Sequence, residues 1–253
     1  EDCSHSHGAE YKGKKVGSFG HAAAWSLQGA KIITGGEGGI MLTNEEDIFY
    51  RGLLQGHYNK RCKQEIPEDH ELYKFAVTGF GLKLRAHPLA IAIANEQFNH
   101  LDDWIEQKNN FAMQFIEALD KYSFLEMPKF GSFKKPSWYA LVMQFKPENA
   151  NGISIERFTE ALTAEGLIEV DRPGSTRPLH DFPLFNDIHK AMPRLYDKSI
   201  QNNGLFEGAV NFYQNAIKIP VWAFEDEKEV VEAYIKGFKK VCDVVENNFD
   251  LLK

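Results

Sequence analysis

Lys31 stands almost alone as a charge in the stretch Val16–Asn44, VGSFGHAAAWSLQGAKIITGGEGGIMLTN, where Glu37 is the one other formal charge with histidine counted neutral. A lysine among small and apolar neighbours is poorly solvated, which favours the neutral, nucleophilic amine over the ammonium. A hydroxyl, Ser26, lies five residues before it, and the glycine cluster Gly35-Gly36-Glu37-Gly38-Gly39 begins four residues after it. The chain opens on two carboxylates, Glu1-Asp2. An amine, a carboxylate and hydrogen-bond donors of a size to hold phosphate are what a protein needs to keep pyridoxal phosphate as a Schiff base. Read alone as a nucleotide loop, GGEGG is weak, because it lacks the lysine-hydroxyl ending of a P-loop and the helix start of a dinucleotide site. Gly38 and Gly39 are therefore read as conformational, permitting a turn that a Cβ would obstruct.

The elements that must position these groups follow from periodicity. Residues 31–43 predict a strand (KIIT), a glycine turn and a second strand (IMLT). A glycine-and-basic loop, TGFGLKLR, leads into the small-residue run from Pro88, whose alanines favour a tightly packed helix over a strand. Apolar residues at helical spacing predict a long amphipathic helix over Trp104–Leu119, and the aromatic run WYALVMQF at 138–145 predicts a strand. Ser154 reads as the N-cap of a helix closed by Gly166, and a last helix near Asp226–Asn247 carries one apolar stripe. Strands alternating with helices make the class α/β or α+β. A boundary near residue 105 separates residues 1–105 from a compact C-terminal domain, 106–253.

With 253 residues, 43% hydrophobic and 26% charged, the chain is long enough to bury a sizeable core. Its net charge of −7 supplies no basic face for phosphates and argues against a nucleic-acid partner. No apolar run approaches bilayer length, which predicts a soluble protein with no membrane partner. Three cysteines, Cys3, Cys62 and Cys242, share no CxxC spacing and suit free thiols in a reducing cytoplasm better than a disulfide framework or a metal site. No initiating methionine precedes Glu1-Asp2, so the chain is expected to be the C-terminal portion of a longer protein.

Glu-Asp, then Gly-Ala-x-Tyr-x-Gly, Gly-Ser-x-Gly, Ser-x-x-x-x-Lys and Gly-Glu-Gly-Gly occur in that order within residues 1–44. Together they resemble the DegT/StrS-type sugar aminotransferase family. GLKLRAHPLA at 81–90, RPLHDFPLF at 177–185 and AIKIPVW at 216–222 extend the resemblance over nearly the whole chain. The resemblance implies a fold-type I, pyridoxal-phosphate-dependent α/β transferase: part of the large mixed-sheet domain, without its N-terminal portion, followed by a smaller α+β domain. It implies a cytoplasmic homodimer that moves an amino group from glutamate or glutamine to a keto-sugar, most often nucleotide-linked, in surface-polysaccharide or secondary-metabolite sugar biosynthesis. A keto-cyclitol acceptor of the scyllo-inosose type is the alternative, and a non-catalytic binding or regulatory protein is a third reading.

The family motif assigns Lys31 the Schiff base and the acid/base role of the proton shift; relatives with His at this position perform dehydration, so Lys here favours transamination. Asp2 matches the partner of the pyridine nitrogen, although by spacing alone a carboxylate on a frayed end is the plainer reading. His5, a position often Gln or His, would hydrogen-bond near the cofactor's ring oxygen; a satisfied loop histidine is the alternative, and His7 is read as structural. Ser26 would donate to the cofactor phosphate, against the plain reading of a serine in a turn. Lys83 departs from a frequent Asn that reaches the phosphate across the dimer interface, and could replace it as a point charge. Arg85 matches a basic residue binding the donor carboxylate or the sugar-nucleotide phosphate, with a salt bridge as the alternative. His180 would face the acceptor. His21 stands where the family often has Asp. Trp138, Tyr139, Phe182 and Phe185 invite a sugar-stacking reading, but aromatics at such spacing are more often core.

Overall fold

A computed structural model describes residues 1–196 and 206–252. The chain divides into two compact units, Glu1–Asn109 with Phe130–Tyr139 (unit 1) and Asn110–Lys129 with Ala140–Lys253 (unit 2).

Unit 1 begins with β1 (Glu10–Tyr11) and β2 (Lys14–Lys15), which with β6 (Lys134–Lys135) form an antiparallel sheet in the order β2-β1-β6. β3 (Ala22–Ser26) and β4 (Gly39–Thr43) pair antiparallel, with Ala22 opposite Thr43 and Ser26 opposite Gly39. Helices α1 (Glu46–Gly56), α2 (Asn59–Glu65) and α3 (Pro88–Phe98) follow. Tyr50, Leu54, Cys62, Ile66, Leu72 and Ala76 form one apolar cluster, and Leu27, Ile33, Ala94, Leu101 and Ile105 another. The long helix α4 (Leu101–Leu119) runs out of unit 1 into unit 2.

Unit 2 is built on a three-stranded antiparallel sheet, β5 (Leu125–Glu126), β7 (Leu141–Phe145) and β8 (Ala216–Ile219), in the order β5-β7-β8. Leu141, Met143 and Phe145 alternate inward and are fully buried, as the period of two requires. Over the sheet lie α5 (Ile155–Ala164) and α9 (Lys228–Asn247), with short helices α6 (Pro183–Asn186) and α7 (Ile188–Ala191) and α8 (Glu207–Asn215) between them. Phe158 stacks on Phe145 at 5.2 Å between ring centroids, and Phe238 meets Phe115 edge-on at 5.0 Å. Ser154 caps α5 by accepting from the Arg157 N–H at 3.2 Å, and Gly166 follows at φ +88°, the left-handed position that ends a helix.

Two sequence expectations are corrected. KIIT is not a strand: the partner of β4 is β3, and residues 27–38 form the loop between them. Its β-branched residues serve as packing anchors, Ile33 buried in the second cluster with Ile32 against it. The strand at 138–145 is confined to Leu141–Phe145, because Trp138 takes φ +49° and turns the chain before the ladder begins. Cys3, Cys62 and Cys242 are free and buried. No helix among the described residues is long and apolar enough to cross a membrane.

Candidate active site

β3 has the sequence AAAWS, small residues that let another backbone approach its outer edge. There Asp2 bridges Ala24 in parallel: Cys3 N–H donates to the Ala24 carbonyl at 2.8 Å and Ala24 N–H to the Glu1 carbonyl at 3.0 Å. The Cys3 side chain is fully buried and pins the segment. Farther on, the His7 Nε2–H donates to the Ser26 carbonyl at 2.9 Å, a second strut onto β3. Glu1 is spent on structure, its carboxylate accepting from the N–H groups of Gly17, Phe19 and Gly20 at 2.7–2.9 Å. Asp2 keeps its carboxylate near Lys31 and His5, with Oδ1 accepting from the Ser4 N–H and hydroxyl at 3.0 and 2.6 Å. Those bonds, helped by the charge of Lys31, hold the Asp2 carboxyl below the usual carboxylate range.

Ser26 ends β3, and its Oγ accepts from the Gln28 N–H at 3.2 Å, which leaves the hydroxyl proton to serve as a donor. Lys31 then sits on a turn closed by its own N–H to the Gln28 carbonyl at 2.9 Å. Thr34 is the hub of the loop: its hydroxyl donates to the Leu27 carbonyl (3.0 Å) and accepts from Gly36 N–H (2.8 Å), while its own N–H donates to Gln97 Oε1 on α3 (2.9 Å). Gly35 lies so close to α3 that a Cβ would stand 2.8 Å from the Ala90 carbonyl oxygen.

Lys31, half-buried, opens into a cleft also lined by Ser4, His5, His7, Lys108 and Tyr139. The His5 imidazole and the Tyr139 ring are stacked, with centroids 3.8 Å apart and planes 3° from parallel. Lys31 Nζ lies 4.4 Å from the Tyr139 ring centroid. Burial, reinforced by the Lys31 charge, holds His5 below the ordinary imidazole value against a weaker upward pull from Asp2. His7 is held down chiefly by burial. Both rings are thereby kept neutral beside the lysine.

The wall that presents Tyr139 is tied to α4. Buried Lys108 donates from Nζ to the Trp138 carbonyl at 3.0 Å, Asn109 Nδ2 donates to the Pro136 carbonyl at 2.9 Å, and Trp138 Nε1–H donates to Asn109 Oδ1 at 3.0 Å. These bonds hold Trp138 in a left-handed conformation that costs a non-glycine residue about 1–2 kcal/mol.

The donor set suits a phosphorylated pyridine aldehyde: an amine to bond the aldehyde, an anionic carboxylate for a protonated ring nitrogen, a neutral imidazole and a serine hydroxyl. Lys31, His5 and Asp2 are brought together, with Ser26 at the end of the strand Asp2 pairs with. Lys83 and Arg85 are exposed on the loop before α3 and do not line the cleft; the Arg85 guanidinium lies 5.8 Å from the Tyr58 ring centroid. His180 belongs to unit 2, stacked on Phe206 at 4.8 Å with Nε2 at 3.3 Å from Asp181 Oδ1. His21 is exposed, and its carbonyl accepts from the Thr43 hydroxyl at 2.6 Å. Of the four aromatics considered for stacking none is core, and Trp138 and Tyr139 both line the cleft. Sequence reasoning missed Lys108, Thr34 and Gln97. Lys108 does fall one residue before Asn109 on the stripe of α4 opposite its acids, but nothing in the chain marks its partner.

Comparison with known proteins follows the same lines. Over 251 residues the chain is 27% identical to the putative L-glutamine:3-amino-2,3-dideoxy-scyllo-inosose aminotransferase of Micromonospora echinospora, covering 93% of this chain and 57% of that protein. The chain thus spans little more than half the length of that relative. Among solved structures, the aminotransferase from Psychrobacter cryohalolentis superposes with a TM-score of 0.77 at 21% identity, covering 98% of this chain and 62% of that one. E. coli GDP-4-keto-6-deoxy-D-mannose-3-dehydratase, solved with bound hydrated PLP, superposes with a TM-score of 0.71 at 19% identity over 91% of this chain and 57% of that one. The fold is thus the fold-type I, mixed α/β architecture of the pyridoxal-phosphate-dependent transferases. Residues 1–233 match the DegT/DnrJ/EryC1/StrS aminotransferase family, and the chain belongs to that family.

Proposed function

We propose that the protein is a pyridoxal-phosphate-dependent aminotransferase that moves an amino group from glutamate or glutamine to the ketone carbon of a keto-sugar, nucleotide-linked in the first reading. The observation behind it is that Lys31 and His5 line one cleft, with the Asp2 carboxylate near enough to feel the lysine's charge, in a chain of this family. Pyridoxal phosphate, when bound, supplies an aldehyde for the lysine and an electron-withdrawing ring that stabilises negative charge on the carbon beside the transferred nitrogen.

The chain's own groups divide the work. Lys31 Nζ would hold the cofactor by its aldehyde at rest and, when free, would serve as the acid and base that carries the proton of the transfer. Asp2, kept anionic by Ser4, holds a proton on the pyridine nitrogen. His5, kept neutral, offers a hydrogen bond at the ring's edge without adding positive charge beside the lysine. Ser26 donates to the phosphate. Lys83 and Arg85 remain candidates for anionic groups of substrate or of a second copy's cofactor, which makes a homodimer part of the proposal; sedimentation at micromolar protein tests it. His180 remains a candidate for the acceptor.

The test is optical. Adding pyridoxal phosphate is expected to give the visible band of lysine-bound cofactor, with Lys31→Ala losing it and Asp2→Asn altering its pH dependence. No band in wild type overturns the enzyme reading in favour of a binding or regulatory protein. A keto-cyclitol acceptor is the second reading, favoured by the similarity to the scyllo-inosose-type enzyme over 93% of the chain. Nucleotide-linked keto-sugars and keto-inositols offered with 15N-labelled glutamine separate the two.

A further inference from the structure

One ring touches both groups that flank the bond-forming position. Tyr139 lies flat on the His5 imidazole at 3.8 Å and beneath the Lys31 amine at 4.4 Å from its centroid. His5 and Lys31 come from separate stretches of chain, and Tyr139 comes from a third, more than 100 residues on. The ring's place is over-determined: Lys108 and Asn109 donate to the carbonyls of Trp138 and Pro136, and Trp138 Nε1–H donates to Asn109 Oδ1, with Trp138 in a backbone conformation a non-glycine residue rarely adopts. Such strain persists where surrounding contacts enforce it, and it gathers at functional sites. Here its product is the placement of the next side chain. Tyr139 itself is 40% exposed, so covering apolar surface does not account for it.

We propose that Tyr139 is a positioning residue of this site: its ring fixes the plane of the His5 imidazole and the reach of the Lys31 amine, so that the two are presented together to the cofactor. The aromatic face does this, not the phenol hydroxyl. A flat ring shields the imidazole from water on one face, and a cation above the same π-system is held by the ring quadrupole. The proposal rests on the reading of the cleft as a cofactor site, but its first test needs no cofactor.

In cofactor-free protein the ring signals of His5, assigned by their loss in His5→Gln, are titrated by NMR in wild type, Tyr139→Phe and Tyr139→Ala. The charges acting on His5 are Lys31 and Asp2, with His7 and Lys108 lining the same cleft, and all four are unchanged in both variants. Tyr139→Ala is expected to move the His5 midpoint up toward the ordinary value of 6.5, since burial is the first cause of its depression, and Tyr139→Phe is expected to leave it in place. Equal midpoints in all three proteins overturn the proposal, as does a Phe variant that follows Ala. The second readout is the pyridoxal phosphate concentration that half-saturates the visible band, expected to rise about three- to tenfold in Tyr139→Ala and to be restored in Tyr139→Phe. An unchanged or lower value in Tyr139→Ala also counts against the proposal. A wild type without the band sinks the functional reading alone, and the His5 titration still decides the role of Tyr139.

Discussion

In unit 2, Phe115, Phe124, Phe145, Phe158 and Phe238 meet ring to ring with 0–2% exposure, the sheet and helices closing over them. In unit 1 the buried residues gather in smaller clusters, while large apolar side chains face outward: Ile40, Met41 and Leu42 on β4, and Leu89, Ile93 and Phe98 on α3 are 42–68% exposed. Unit 2 therefore behaves as a core that specifies itself. Unit 1 spends its order on hydrogen bonds and backbone pairings that aim particular side chains; exposed apolar side chains are common to both units, Ile168, Leu179 and Leu251 being among those of unit 2.

The largest effect that could break this contrast lies in unit 2. Phe158→Ala should cost about 3–5 kcal/mol in urea unfolding; a loss under about 1 kcal/mol would mean the rings are not close-packed. Gly35→Ala asks whether the Lys31 loop of unit 1 is packed as tightly. The added Cβ meets the Ala90 carbonyl oxygen at 2.8 Å, so a loss of about 1–3 kcal/mol and a weaker cofactor band are expected. Ser154→Ala, removing the α5 cap of unit 2, should cost about 1 kcal/mol with no change in the band.

The next effect is confined to acid. His7 is held below its ordinary value of 6.5, so the unfolded chain takes up its proton more readily than the folded one. Its contribution is then complete above that value and is lost as pH falls through the lower folded value. His7→Gln should flatten this acid limb in stability–pH curves, and an unchanged limb would place its origin elsewhere. The smallest effect sharpens the contrast from outside: Leu89→Gln, Ile93→Gln and Phe98→Gln should each shift stability by no more than about 0.5 kcal/mol while jointly reducing binding of a hydrophobic dye. Undiminished dye binding would locate the exposed apolar surface somewhere other than α3.

What the sequence made legible tracks how local each signal is. The helices at 101–119, 155–164 and 228–247 write their apolar stripes and caps into consecutive residues, and pattern alone finds them. Lys31, Asp2, His5 and Ser26 stand out as candidates because their order and spacing form a motif, though spacing alone would have made Asp2 a frayed end. Its pairing with Ala24 joins residues 22 apart and has no local mark. KIIT misled because β-branched residues suit a pleated strand and a buried loop anchor equally well. AAAWS was passed over because alanine advertises no strand. Tyr139 is legible as an aromatic but not with its partners His5 and Lys31, and Lys108 is not legible at all, since nothing along the chain names the groups they meet.

The attachment of Asp2 to β3 is made of main-chain atoms: the N–H of Cys3, the carbonyl of Ala24, the N–H of Ala24 and the carbonyl of Glu1. Main-chain atoms are common to every residue type save for proline's missing N–H. The carboxylate's place is thus set by register, while its charge state is set by Ser4, which donates to it from both N–H and hydroxyl. A substitution at Ser4 that keeps the pairing would leave the group where it is and raise its affinity for a proton. Where the anion stands and whether it is an anion are two separately mutable properties of one residue.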